Sequence, residues 1–311
     1  MILALAGGVG GAKLAAGLQQ VLGDKLTVAV NTGDDFRHLG LAISPDLDTV
    51  MYTLAGINNP QTGWGLAGES WSFMDMMGKL GGETWFRLGD RDLATHVERS
   101  RRLASGEPLS AVTAALCERL GVPARVVPMS DDPVHTMVQT ESGELAFQDY
   151  FVRLHCEPAV RGLRFDGAAA ARIGTAFADA FAAPTLEGIA ICPSNPYLSI
   201  GPMRAIPEIE QQLRRRRVPA VAVSPIIAGR AVKGPAEKIM RELGREVSAL
   251  EVARGYLGLI DGFVLDAQDA ALTGAIEALG LRAIAIDTLM SDTARSAAVA
   301  RETLRLIASL A

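Results

Sequence analysis

Ile2-Leu3-Ala4-Leu5-Ala6-Gly7-Gly8-Val9-Gly10-Gly11-Ala12-Lys13 decides the fold. The apolar run has no basic segment before it and reaches glycine almost at once, so it reads as a buried strand and not as a signal peptide. After the glycines, Leu14, Leu18, Val21 and Leu22 recur on one helical face, and Leu26–Val30 reads as a second strand. Strand, glycine loop, helix and strand within about thirty residues form a βαβ unit. Such a unit implies a parallel sheet with right-handed crossovers.

Working outward, short apolar runs at Gly188–Ile191, Ala220–Val223, Gly262–Leu265 and Ala283–Ile286 read as further strands, each followed by a loop and a helical stretch. Runs of this kind suit a sheet covered on both faces. Residues 45–120 read as mainly helical: Ser44-Pro45-Asp46 resembles a helix start, and helical patterns cover Asp92–Ala104 and Leu109–Leu120. Glu141-Ser142-Gly143 reads as a hairpin turn. The expected architecture is a single three-layer, Rossmann-like α/β domain over 1–311. Its sheet is mostly parallel, with a helical insertion over 45–120 after the second strand.

With 49% hydrophobic residues the chain can bury a sizeable core, and its net charge of −5 argues against a general nucleic-acid or membrane-surface role. An acidic protein that binds phosphate must supply positive field locally, through backbone N–H groups, a few Lys or Arg, or a divalent cation. Cys117, Cys156 and Cys192 are too sparse for a metal or disulfide pattern and fit buried free thiols in a reducing compartment. No stretch is apolar enough to span a bilayer. The expectation is a soluble, cytoplasmic protein, with a homodimer as the base-rate assembly.

The glycine loop matches neither common phosphate motif. Lys13 stands where the dinucleotide fingerprint needs its third glycine, and Leu14 where the Walker motif needs Ser or Thr. The physics survives the mismatch, because Gly8, Gly10 and Gly11 let backbone N–H groups at a helix start approach an anion, with Lys13 beside them. A tight turn without ligand is the alternative. After the second strand, Asn31 and Asp34 of Asn31-Thr32-Gly33-Asp34-Asp35 lie where a parallel sheet opens its crevice; the two aspartates serve equally as turn caps.

Asp46 and Asp48 are two apart, about 200° around a helix, so they cannot share one face. If Asp46 sits in the first turn, Asp48 is free for a ligand or for Mg²⁺, which binds through one or two carboxylates plus substrate phosphates. Around Leu88-Gly89-Asp90-Arg91-Asp92, Arg87 and Arg91 are candidates to neutralise phosphate. Asp92 reads as a helix cap and His96 as its partner or as a site residue, with the cap reading preferred. Ser194 and Asn195, in a loop stiffened by Pro193 and Pro196, suit recognition of a base or ribose edge. Trp64, Trp71, Phe73 and Trp85 read first as core and second as a stacking wall. Arg214–Arg217 reads as a solvated helix end.

Together, Gly7–Gly11, Asn31–Asp35, Ser44–Thr49, Leu88–Asp92, Met129–Pro133, Pro193–Pro196, Ser199–Pro202, Val223–Ile227 and Asp287–Met290 resemble, in order along almost the whole chain, the 2-phospho-L-lactate transferase family. The resemblance implies a Mg²⁺-dependent enzyme of coenzyme F420 biosynthesis. Its substrates are implied to be small molecules: the deazaflavin Fo as acceptor and a guanosine diphosphate-linked phospho-acid as donor, of phospholactate, phosphoenolpyruvate or 3-phosphoglycerate type. GMP leaves as a phosphodiester forms. By this resemblance Asp48 and Arg87 fall on the Fo side, within the insertion. Gly8, Gly10, Gly11, Lys13, Asn31, Asp34, Ser194 and Asn195 fall on the GDP side. Asp48, Arg87, Asp90 and Arg91 form the catalytic set, and Asp46 and Asp48 the metal ligands. Asp48→Asn is expected to fold and to lose turnover. The alternative is a non-catalytic, nucleotide-sugar-binding regulator of the gluconeogenesis-factor type. The Pro45–Thr49 and Leu88–Asp92 segments count against it.

Overall fold

A computed structural model describes residues 1–311. Its main sheet has seven strands: β1 (Ile2–Ala6), β2 (Leu26–Val30), β3 (Arg125–Pro128), β4 (Gly188–Ile191), β5 (Ala220–Val223), β6 (Gly262–Asp266) and β7 (Arg282–Ile286). Every pairing is parallel, in the spatial order β7-β6-β5-β4-β1-β2-β3. The order reverses between β1 and β4, which makes that junction the topological switch point of a doubly wound sheet.

Alternation along β1 assigns its faces. Ile2, Ala4 and Ala6 join one core with Leu14 and Leu18 of α1 (Gly8–Leu22) and with the C-terminal helix Thr293–Ser309. Leu3 and Leu5 join the opposite core, with the helices Thr175–Ala182, Ile200–Ala205, Pro207–Arg214 and Ala249–Gly255. The result is the expected three-layer α/β fold. At Gly17, a side chain would collide with the Ser296 carbonyl, so α1 and the C-terminal helix meet backbone to backbone there. Of the arginine run, exposed Arg214 pairs with Glu210, whereas Arg216 is largely buried against Asp261 and departs from the expected solvated helix end.

Between β2 and β3 lie α2 (Pro45–Leu54), α3 (Ser72–Lys79), α4 (Asp92–Ala104) and α5 (Leu109–Arg119). Pro45 occupies the first helical turn of α2, where its missing N–H is harmless. Ahead of residues 45–120 lies an element that the sequence reading did not give. An antiparallel hairpin, Phe36–His38 with Leu41–Ile43, precedes α2, and an irregular stretch separates α2 from α3. Three-residue strands carry too little period-two pattern to be read from sequence. The expected turn at Glu141–Gly143 belongs to a separate antiparallel sheet of Gly143–Ala146, His135–Thr140 and Val160–Asp166. No helix is long and apolar enough to cross a membrane.

Candidate functional site

A parallel sheet delivers every strand's carboxyl end to one edge, so the polar loops after β1, β2, β4 and β7 converge. At the switch point the Gly7 N–H donates to Ser194 Oγ at 2.9 Å. A side chain at Gly10 would strike the Pro193 carbonyl oxygen, and one at Gly11 would strike Ser194 Oγ. The glycines are therefore required by the close approach of two loops. Gly8 has φ +61° at the start of α1, a backbone conformation that favours glycine.

Lys13 reaches over this loop to donate to the Met290 carbonyl after β7, at 2.8 Å. A second cation, absent from the sequence reading, joins it. Lys233 donates to the Thr62 carbonyl at 2.6 Å and lies beside Gly63, which itself packs on Val9 of the glycine loop. Burial and the nearby Lys233 charge both lower the Lys13 pKa. Two ammonium groups near the glycine loop give this acidic chain a local positive field of the kind that phosphate binding requires.

The carboxylates face this wall. Asp46 lies against Gly7, receives a hydrogen bond from Asn31 Nδ2 at 2.9 Å, and has the Gly8 N–H and the Ser199 hydroxyl facing it. Burial raises its pKa to about 6, against the pull of those donors. Asp34 is pushed well above the ordinary carboxylate range by burial and by the charges of Asp46 and Asp35. Asp35 rises by burial, opposed by the Ser44 hydroxyl and by Arg99, and Asp48 and Asp46 push it further up. Raised carboxyl pKa values mean that the fold binds protons its unfolded chain releases, so stability falls as pH rises from the ordinary value of 3.8 through about 6. Asp34 and Asp35 extend the decline upward, while Asp92, held low, acts in the opposite sense at more acid pH. Metal-free protein is expected to melt at a lower temperature at about pH 8 than at about pH 5, and Asp46→Asn to flatten part of that slope. An unchanged slope in the variant contradicts the assignment.

On the other side of α2 the expected 200° separation has its consequence. Asp48 turns away from the glycine loop toward α4, where Arg99 grips both its oxygens: Nη1 to Oδ2 at 3.0 Å, and Nη2 to Oδ1. Arg99 is 2% exposed. Burial works to lower its pKa, but Asp48 above all outweighs this and holds it above the ordinary value. His96 Nδ1 lies 3.7 Å from Asp48 Oδ2, and His96 Nε2 lies 3.3 Å from Asp92 Oδ2. The Tyr52 hydroxyl donates to Asp92 Oδ1 at 2.5 Å. Asp92, His96 and Arg99 are thus one inward face of α4, at i, i+4 and i+7, set against Asp48 and Tyr52 at i and i+4 of α2. That spacing was the available signal for Arg99, which sequence reasoning passed over.

Other expected residues are placed differently. Asp92 does not cap α4: Glu69 does so from a distance, accepting from the N–H groups of Arg91 and Asp92, both at 2.8 Å. His96 is accordingly a buried residue of the Asp48 cluster and not a cap partner. Asp90 caps α3, taking Ser70 Oγ, Ser72 N and Phe73 N at 2.6, 2.9 and 3.0 Å, and these bonds, Ser70's first, hold its pKa low. Arg91 donates to the Ala67 carbonyl, and exposed Arg87 stacks over Trp71 at 4.2 Å. Asn31 is fully buried, its amide bridging Gly33 and Asp46, and Asn195 Oδ1 accepts from Tyr197 N and Leu198 N. Asp131 and Asp132 bind Ser110 and the Arg172 N–H. Trp71 and Phe73 pack in a small core and Trp85 in a cluster with Phe36, His38 and Phe86, leaving Trp64 exposed.

One donor atom each from Asp48, Asp92 and His96 falls within 4.8 Å of the others. This set suits Mg²⁺ poorly, since the guanidinium already occupies both Asp48 oxygens and imidazole favours softer metals. Asp34 and Asp46 fit better. They are buried oxygen donors, and the Asp46 charge works against ionisation of Asp34, a conflict that a hard cation would relieve; of the expected pair Asp46 and Asp48, only Asp46 therefore stays a candidate ligand. Buried polar side-chain atoms without a hydrogen-bond partner include Asp35 Oδ1 just ahead of the hairpin, His38 Nε2 on it, Trp85 Nε1 packed against it and Arg99 Nε on α4. Each such group calls for an explanation, a water, an ion or a catalytic role among them.

A Streptomyces griseus protein named phosphoenolpyruvate transferase is 42% identical over 98% of each chain. A Methanosarcina acetivorans protein named 2-phospho-L-lactate transferase is 41% identical over 95% of each. Among solved structures, a UPF0052-family protein of Bacillus halodurans shares the fold, with a TM-score of 0.62 at 14% identity, covering 97% of this chain and 98% of that one. The family model of 2-phospho-L-lactate transferase CofD matches residues 2–304, and the chain belongs to that family.

Proposed function

We propose that this protein is a cytoplasmic enzyme of coenzyme F420 biosynthesis that transfers a phospho-acid from its guanosine diphosphate conjugate to the terminal ribityl hydroxyl of Fo. The acceptor oxygen forms a bond to the distal phosphorus, the bond from that phosphorus to the bridging oxygen breaks, and GMP leaves with that oxygen. The hydroxyl proton passes to a base, for which Asp48 is the candidate. The observation that carries the reading is the division of polar groups between the two sides of α2. Glycine-loop N–H groups, Lys13 and Lys233 stand on one side, and a fixed carboxylate with unpaired buried polar groups stands on the other.

In this reading the loops after β1 and β4 seat the diphosphate, and the lysines neutralise its charge. Arg87 and the hairpin flank the acceptor. Such transfer requires chiefly positioning and charge neutralisation, which these residues provide. Mg²⁺ would be held by Asp34 and Asp46, where it would draw charge from the phosphate of the departing GMP. Asp90 and Arg91 serve by shaping the acceptor wall through the contacts they make.

The test is to incubate the protein with Fo, Mg²⁺ and either guanylated phosphoenolpyruvate or guanylated phospholactate. Mass spectrometry then looks for a phosphodiester-linked deazaflavin together with GMP. Both donors are used because relatives named for each acid are similar to this chain to nearly the same degree, at 42% and 41% identity. The expected result is product with at least one donor. Donor binding without product from either would support the binding-regulator reading instead.

A further inference from the structure

We propose that Arg99, braced by His96, Asp92 and Tyr52, is the positioning residue that fixes the plane of the Asp48 carboxylate at the acceptor site; this rests on the transferase reading above. Both terminal nitrogens of Arg99 engage Asp48, one on each oxygen. A two-point fork of this kind sets the rotation of the carboxylate as well as its location. Each oxygen keeps a further lone pair, so the pairing leaves room for a substrate hydroxyl. The Asp48 side chain retains 8% of its exposure and Arg99 only 2%, so Asp48 is the less buried member of the pair.

The bracing continues behind the guanidinium. His96 Nδ1 lies 3.4 Å from Arg99 Nη1, and its other nitrogen faces Asp92, which accepts from Tyr52 one turn along α2 from Asp48. The network thus leaves α2, crosses α4 and returns to α2, tying the orientation of Asp48 to two rigid helices. Five polar side chains between two helices are a poor choice for stability alone, since well-packed apolar residues of similar volume serve as well or better. Lysine at position 99 would keep the charge and lose the fork.

The experiment compares wild type, Arg99→Lys, Asp48→Asn and the double variant in steady-state transfer assays, with thermal melts of each. Arg99→Lys is expected to lower kcat by about 100-fold, the scale of an ångström's misplacement of a reacting group. The KM for the guanylated donor, which sits across α2, should change less than about 3-fold. The double variant should be no slower than Asp48→Asn alone, because both changes disable one device. Arg99→Lys turnover within about 3-fold of wild type, or losses that multiply in the double variant, overturns the proposal. If Arg99→Lys does not fold, Tyr52→Phe replaces it. A kcat drop of about 5-fold at constant donor KM supports the bracing, and an unchanged kcat overturns it. Absence of wild-type turnover with either donor removes the transferase reading and this inference with it. Wild-type turnover with indifferent variants removes the inference alone.

Discussion

Asp48→Asn is expected to lower the transfer rate by about 10²–10⁴-fold, the range spanned by a positioned general base, which corresponds to about 2.7–5.5 kcal/mol of activation free energy. Asparagine keeps the shape of the side chain and one acceptor, but it cannot take the hydroxyl proton. The structure also revises the expectation that this variant folds like the wild type. Asp48 is the principal counter-charge of a guanidinium that is 2% exposed. Removing one partner of a buried pair costs about 3–5 kcal/mol, and the remaining amide oxygen places the expected loss toward the lower end. Kinetics and thermal melts on the same preparation separate the effects. Turnover near the wild-type rate would sink the assigned role, and an unshifted melting temperature would contradict the buried pair.

Gly10→Ala is expected to weaken GDP binding by about tenfold or more, or about 1.4 kcal/mol. Its added methyl group would meet the Pro193 carbonyl oxygen, a backbone atom that cannot swing aside, so the loops after β1 and β4 must separate. Separation strains the Gly7-to-Ser194 hydrogen bond that joins the two loops. Overpacking of this kind costs about 1–3 kcal/mol of stability as well. Gly17→Ala is the control: its methyl group would press on Ser296 in the C-terminal helix, on the far part of α1. It should lower the melting temperature comparably while folded protein binds GDP as the wild type does. Calorimetric titration with GDP checks both, and wild-type affinity in Gly10→Ala would show that the glycine loop is only a turn.

Much of the frame was legible. β1, β2, β4 and β5 begin and end where their apolar runs do, and β6 and β7 differ by one residue. Such runs are bounded by loop-forming residues, so their ends are local events. Asp46 and Asp48 were separable because helical geometry forbids residues two apart from sharing a face. The roles of Asp90 and Asp92 were harder. Both look like caps or catalytic carboxylates, and the choice depends on Ser70, Ser72 and Glu69, which reach them from elsewhere.

By itself, then, the sequence determined the parallel α/β sheet, the glycine loop at its first strand end, and the gathering of polar loops along one edge. Each follows from periodicity and turn chemistry within a few residues. Only the tertiary structure decided that Arg99 grips Asp48 from 51 positions away, that Lys233 lies over the glycine loop, and that Lys13 reaches the loop after β7 across 277 positions. The physical reason is that periodicity reports which face an element presents but not what meets that face. The electrostatics of this site arise from such meetings: carboxylates crowded together on the donor side of α2, and one carboxylate matched to a buried guanidinium on the other.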